Sequence, residues 1–306
     1  MKDQKPRNES FFKAVCIIIL AIFLFDVQGA LIKYMGGSYP VERIAFYRNL
    51  FGILPNVLVL AFSAQWHKSG RSLRLGLWHL ALGRGLLLIL AQVCFYTALI
   101  HMELATASTL AFAGPLFVTT LSIPLLGHKV GWVRGSAVAL GFVGVVLVMQ
   151  PGSDAFSLTA LLPVAAAFFY ALSSLSARYF DAKEPTALIS IYGSVGALTA
   201  ALVLMLFNGT PIGLASANDW LLFIAMGGAG GTAVFLLITA YRMTDPSSLS
   251  PFEYFGIPFS FLLGWYFFNE TPFDSLFPGV LFIVFGGLLV VWRERSLSRE
   301  SNKSNS

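Results

Sequence analysis

The sequence predicts an all-α membrane protein of ten transmembrane helices, arranged as two inverted five-helix repeats. Three observations lead there. Of the 306 residues, 57% are apolar and 11% charged; an ordinary soluble domain is roughly 25% charged, so too little charge is present to cover a water-exposed surface. The apolar residues fall into ten runs, each near the ~20 residues a helix needs to cross hydrocarbon. The last five runs repeat the first five.

The runs lie near 14–33, 43–62, 76–99, 104–126, 132–149, 158–178, 187–207, 219–240, 247–268 and 274–292. Turn and charge signals separate them: GGSYP at 36–40, QWHKSGRS at 65–72, GHK at 127–129, PGSD at 151–154, DAKEP at 181–185, NGTP at 208–211, TDP at 244–246 and NETP at 269–272. The join near Met102 carries the weakest signal. The first run, AVCIIILAIFLF, continues through DVQGALIKYM without a small-residue cleavage site, so it is read as a span and not as a signal peptide. Cys16 and Cys94 both sit in apolar runs. That excludes a disulfide framework and a paired-cysteine metal site, and both are read as small core residues.

The basic residues test the span count independently. Sixteen of the 20 Lys and Arg residues fall on the side of the even-numbered loops and the two tails, 1–13 and 293–306; Lys33 and Arg43 fall on the other, and Arg48 and Arg84 lie inside spans. Both termini are therefore expected in the cytoplasm, with the chain in the cytoplasmic (inner) membrane. The net charge of +5 belongs to these loops and calls for no nucleic acid.

At an offset of 142, Ser108 aligns with Ser250, Gly114 with Gly256 and Gly144 with Gly286; at 145, Lys33 aligns with Arg178, Pro40 with Pro185 and Tyr47 with Tyr192. The halves are 14–149 and 158–292. Because five is odd, the second copy enters the membrane from the opposite face. Such inverted repeats offer two nearly equivalent conformations around a site near the midplane. The expectation is a carrier moving a small polar or amphipathic organic solute by alternating access. A channel is the alternative, and a membrane-embedded enzyme would need a clustered metal or nucleophile site that the chain lacks.

The residues resemble the EamA branch of the drug/metabolite transporter superfamily over nearly the whole chain. The resemblance rests on Lys33 followed by Pro40 and Arg48, on the RG pair at 84–85, and on PFEYFGIPFSFLLGWYFFNE at 251–270, where Pro251, Tyr254 and Glu270 match the family's pattern. His128 stands where the first copy's terminal glutamate would fall. IKYMGG at 32–37 and RGLLLIL at 84–90 are similar to the branch that takes up S-adenosylmethionine. The resemblance implies a small-molecule substrate, a lipid bilayer around a monomer or homodimer, no cofactor, and no metal.

Asp26, Arg48, Arg84 and Glu253 fall well inside spans, where burying each costs at least about 2.5–3.5 kcal/mol. Their partners in the other copy are Ala171, Gly193, Met226 and Ala111, so a duplicated frame carries unduplicated charge. Ser250, Glu253, Gly256, Ser260 and Gly264 share one helical stripe, which either lines a cavity or seats another helix. Arg84 and Glu253 lie at similar depths; they either border the substrate path or form a pair that fixes packing. Asp26 is left to Arg48, to substrate or to a proton, and Asp26 and Glu253 are the proton-coupling candidates. Lys33 is expected to snorkel to the surface. Gln92, Tyr96, Tyr170, Ser174 and Tyr254 complete the candidate substrate-binding set with Arg84 and Glu253, offering hydrogen bonds and stacking surface, with packing as the alternative role for each. GGAGG at 227–231 lies inside an apolar run and reads as helix packing rather than a phosphate loop. The glycosylation triplets NES at 8–10 and NGT at 208–210 are short patterns of little weight.

Overall fold

A computed structural model describes residues 7–63, 66–67, 70, 72–126, 132–150, 157–181, 184–211, 213, 217–243, 249, 252–289 and 292. The tail at 293–306, the first six residues, His128, Ser250 and Pro251 lie outside them. The described residues are helical, with no strand among them. In chain order they form α1 (Arg7–Gly36), α2 (Val41–Ala61), α3 (Trp78–His101), α4 (Leu104–Ala111), α5 (Gly114–Leu126), α6 (Trp132–Met149), α7 (Leu161–Ser176), α8 (Thr186–Phe207), α9 (Ala217–Met243), α10 (Gly256–Phe268), α11 (Phe273–Leu276) and α12 (Gly279–Leu289). Among the described residues, seven helical segments are long and apolar enough to cross a membrane. Three shorter apolar helices, Gly135–Met149, Gly256–Phe268 and Gly279–Leu289, fall where the sequence places its other runs.

Local chemistry sets the breaks. Pro40 and Pro185, both in extended backbone, precede α2 and α8, where a proline's missing N–H costs no helical bond. The run at 104–126, read as unbroken, is two helices: the chain turns at Phe112 and Ala113, and Pro115 takes the second position of α5. The weak join at Met102 is a full break, with Met102 and Glu103 both extended.

That break is pinned from a distance. Lys33 Nζ donates to the carbonyls of Leu99 (3.0 Å) and Met102 (2.5 Å) at the end of α3 and pairs with Glu270 Oε1 at 2.7 Å. Glu270 Oε2 accepts from the Leu104 N–H at 2.7 Å, opening α4. A cation thus satisfies a helix C-terminus and an anion a helix N-terminus. Lys33 does not snorkel; unpaired carbonyls and a carboxylate within reach are better partners than a surface it would have to stretch for.

Small residues let the helices close in, as in membranes where no hydrophobic drive pushes helices together. A Cβ on Gly85 of α3 would collide with the backbone of Gly196 and Ala197 on α8, and one on Gly227 of α9 would lie 2.5 Å from Phe51 Cβ and 3.3 Å from Gly52 N on α2. A Cβ on Gly144 of α6 would lie 2.6 Å from Ile283 N and 2.7 Å from Gly279 O, and one on Gly286 would lie 2.7 Å from Gly141 N and 2.8 Å from Ala137 O. Helix α1 packs on α9 as α7 packs on α3, and α2 on α9 as α8 on α3; α2 meets α8 and α4 meets α10. Cys16, read as a core residue, is exposed on α1, where hydrocarbon suits a thiol as well as a core does; Cys94 is half-buried.

Candidate functional site

The site lies where α1, α2 and α3 face α7, α8, α9 and the start of α10. A cavity of about 560 Å³ is lined there by Asp26, Gln28, Arg48, Asn49, Asn56, Arg84, Gln92, Tyr96, Tyr170, Ser190, Ser194 and Glu253, with Phe25, Phe95 and Phe112 among its apolar walls. It sits toward the bundle end that holds Arg84, Ser190, Leu237 and Glu253. The other end is tied: besides the Lys33–Glu270 pair, Tyr39 donates to Asp219 Oδ2 at 2.5 Å, and Thr210 (2.6 Å) and Asn208 (3.2 Å) donate to Glu42 Oε1. Those last two contacts give the NGT triplet at 208–210 a structural role.

The acidic groups come from α1 (Asp26) and the approach to α10 (Glu253), and the basic groups from α2 (Arg48) and α3 (Arg84). Arg84 Nε donates to the Ser173 carbonyl at 3.0 Å, and its guanidinium lies 5.9 Å from the Phe180 ring centre. It therefore ties α3 to the last turn of α7. Asp26 is 9% exposed and its Oδ2 has no protein partner. Of the alternatives open to Asp26, the pair with Arg48 is not formed; both side chains line the cavity.

Asn49 and Gln92, each 2% exposed, exchange two hydrogen bonds, Asn49 Nδ2 to Gln92 Oε1 at 2.7 Å and Gln92 Nε2 to Asn49 Oδ1 at 3.2 Å. Asn49 Nδ2 also donates to Ala45 O at 2.8 Å. Reciprocal amide pairing of this kind satisfies polar groups that the surrounding apolar helices cannot. Gln92, like Tyr96 and Tyr170, lines the cavity wall.

Two of the expected residues point elsewhere. Ser174 is exposed and absent from the cavity wall; it is Ser173, one residue earlier and about 100° around the helix, that is buried and meets Arg84. Tyr254 is absent from the cavity wall that its neighbour Glu253 lines. Its ring packs 5.4 Å from that of Phe112, its hydroxyl fills the space left by Gly287, and it lines an apolar groove between α10 and α12. The small-residue stripe divides by depth: Glu253 and Gly256 line the cavity, while Ser260 is fully buried and Gly264 packs near Leu104 and Glu270.

Sequence reasoning missed Gln28, Asn49 and Asn56 because uncharged amides raise no alarm in an apolar run; the seven-residue spacing of Asn49 and Asn56, which puts them on one face of α2, was the available signal. The glycine run at 227–231 also serves the site. Gly227 and Gly231 seat α2, at Phe51 and Pro55, and Gly230 leaves room for the Gln28 carboxamide. Among the described residues no cluster of His, Cys, Asp or Glu suits a metal ion.

Comparison with known proteins places these features. Residues 12–150 match the model of the EamA-like transporter family. The chain is 25% identical over 297 residues to an S-adenosylmethionine uptake transporter of Rickettsia prowazekii, covering 97% of this chain and 98% of the relative. It is 29% identical over 286 residues to the pseudopaline exporter CntI of Pseudomonas aeruginosa, covering 93% and 95%, and 29% identical over 303 residues to a riboflavin transporter of Vibrio cholerae, covering 97% of each. A solved crystal structure superposes with a TM-score of 0.63 over 92% of this chain and 98% of the other at 19% identity, which shows a shared fold.

Proposed function

From a chain that carries an EamA-like transporter domain, in the drug/metabolite transporter superfamily, we propose a secondary carrier that moves a small polar or amphipathic organic metabolite across the cytoplasmic membrane by alternating access. One observation carries the proposal: a cavity within an apolar bundle is walled by two carboxylates and two guanidiniums drawn from both halves of the chain. Retaining such groups in hydrocarbon is costly unless a water-soluble guest meets them.

The packing supports ten spans in inverted repeats. Gly144 rests on Gly279 and Ile283; its counterpart at the 142 offset, Gly286, rests on Ala137 and Gly141, the counterparts of those two residues. Gly85 and Gly227 exchange partners in the same way, on Gly196–Ala197 and Phe51–Gly52. With both termini cytoplasmic, as the positive charges favour, the cavity lies toward the cytoplasm and the Lys33 end is the closed outer end.

The test is solute counterflow in proteoliposomes, with S-adenosylmethionine and riboflavin among the solutes because relatives carry those names. Arg84→Ala and Glu253→Gln are each expected to lower flux roughly tenfold or more, the factor for about 1.4 kcal/mol. Wild-type rates in both would sink the assignment. Asp26 and Glu253 are the groups for a coupling proton. Dissipating a proton gradient is expected to slow uptake by the wild type, and Asp26→Asn or Glu253→Gln to remove that sensitivity; gradient-independent uptake by the wild type would rule coupling out.

A further inference from the structure

Three buried polar atoms at the cavity lack a protein partner: Asp26 Oδ2, Gln28 Oε1 and Arg48 Nε. Two of them belong to side chains at least nine-tenths buried, Asp26 and Gln28, which are 9% and 7% exposed. Arg48 differs from Arg84 in a way that matters. Arg84 is occupied by the Ser173 carbonyl and the Phe180 ring. Arg48 has one long hydrogen bond, Nη1 to Asn49 Oδ1 at 3.4 Å, out of the five donors a guanidinium carries. A buried donor on a charged group left unmade costs more than a neutral one.

The surroundings keep Arg48 in that state. Asn49, which abuts it, is held on two sides, by Gln92 and by the Ala45 carbonyl. Opposite, Gly230 has no side chain; a Cβ there would strike the Gln28 carboxamide and lie 3.4 Å from Arg48 Nη2. Among the described residues no ion pair to the guanidinium is formed: Asp26 does not pair with it, and the Lys33–Glu270 pair lies at the tied end.

We propose that Arg48 is the anion anchor of the cavity, binding a carboxylate group of the transported solute. Asn49 and Gln92 are positioning residues, and Gly230 keeps the anchor's space open. A carboxylate matches the guanidinium fork with two parallel hydrogen bonds. The inference rests on the carrier assignment above and adds the chemical class that its cavity selects.

The experiment uses purified full-length protein and two pairs of solutes differing by one carboxylate: S-adenosylmethionine against its decarboxylated form, and L-methionine against 3-methylthiopropylamine. Binding is read as thermal stabilisation in detergent and transport as counterflow in liposomes. At least one acid is expected to bind more tightly than its decarboxylated partner. Arg48→Gln should raise that acid's half-saturating concentration about 10- to 100-fold, the worth of a charged hydrogen bond, and shift its partner far less. Arg48→Lys should fall between, because an ammonium replaces the fork by a point charge, and Gly230→Ala should weaken the acid as its Cβ displaces Gln28. The anchor is refuted if neither acid stabilises the protein, if the decarboxylated partners bind as well, or if the folded variants weaken both members of a pair equally. Binding of an acid without counterflow would leave the anchor standing and overturn the carrier instead.

Discussion

Replacing Gly85 by valine is expected to cost more than about 3 kcal/mol, beyond the usual range for overpacking, and to leave little monodisperse protein in detergent. The reason is what its Cβ would meet. Flexible side chains can swing aside, but the atoms in the way are the backbone of Gly196 and Ala197 on α8, so the two helices must separate along the whole contact between α3 and α8. Gly83, two residues away on the same helix, is exposed and has nothing within 4 Å of its Cβ position. Valine there should change stability by less than about 0.5 kcal/mol, which makes it the control for the chemistry of the substitution. Size-exclusion profiles and melting temperatures of the two variants decide the matter. Equal profiles would mean that the α3–α8 contact is not tight.

Lys33→Met is expected to cost about 3 kcal/mol, the scale for breaking a buried ion pair by removing one partner. The side chains of the pair are only 12% and 13% exposed, and the substitution strips donors from two helix-end carbonyls while leaving the Glu270 charge with the Leu104 N–H alone. Glu270→Gln should cost less, because the amide oxygen still accepts from Leu104 and Lys33 keeps its carbonyls. In the double variant Lys33→Met/Glu270→Gln no uncompensated charge remains, so it should be more stable than Lys33→Met by about 1 kcal/mol. Thermal unfolding of the three variants gives the cycle; strictly additive losses would show that the two residues do not act as a pair.

The all-helical, membrane-spanning character and the four ionisable groups that reach the cavity were legible because hydropathy is a property of the chain itself. Partners were not. Glu270 lies 237 positions from Lys33, and nothing local marks the Met102 break as the place where their charges meet two helix ends. Direction around a helix was also beyond reach at single-residue precision: Ser174 is exposed where its neighbour Ser173 is buried, and Tyr254 lines a different groove from its neighbour Glu253. The kink at Phe112 was marked by the Gly114–Pro115 pair that follows it, a turn signal set inside an otherwise unbroken apolar run. Gln28 and Asn49 escaped notice since an amide's importance depends on what surrounds it.

Asp26, Gln28, Arg48, Asn49, Asn56, Arg84 and Gln92 of the cavity wall precede residue 150, and Tyr170, Ser190, Ser194 and Glu253 follow it, whereas the close helix contacts rest on a different set of residues, glycines such as Gly85, Gly144, Gly227 and Gly286. Cavity wall and helix contacts are thus made by different residues. Side chains of the wall can therefore change what the cavity accepts without disturbing the glycines on which the helices rest; relatives covered over nearly their whole length are named for solutes as unlike as S-adenosylmethionine and riboflavin.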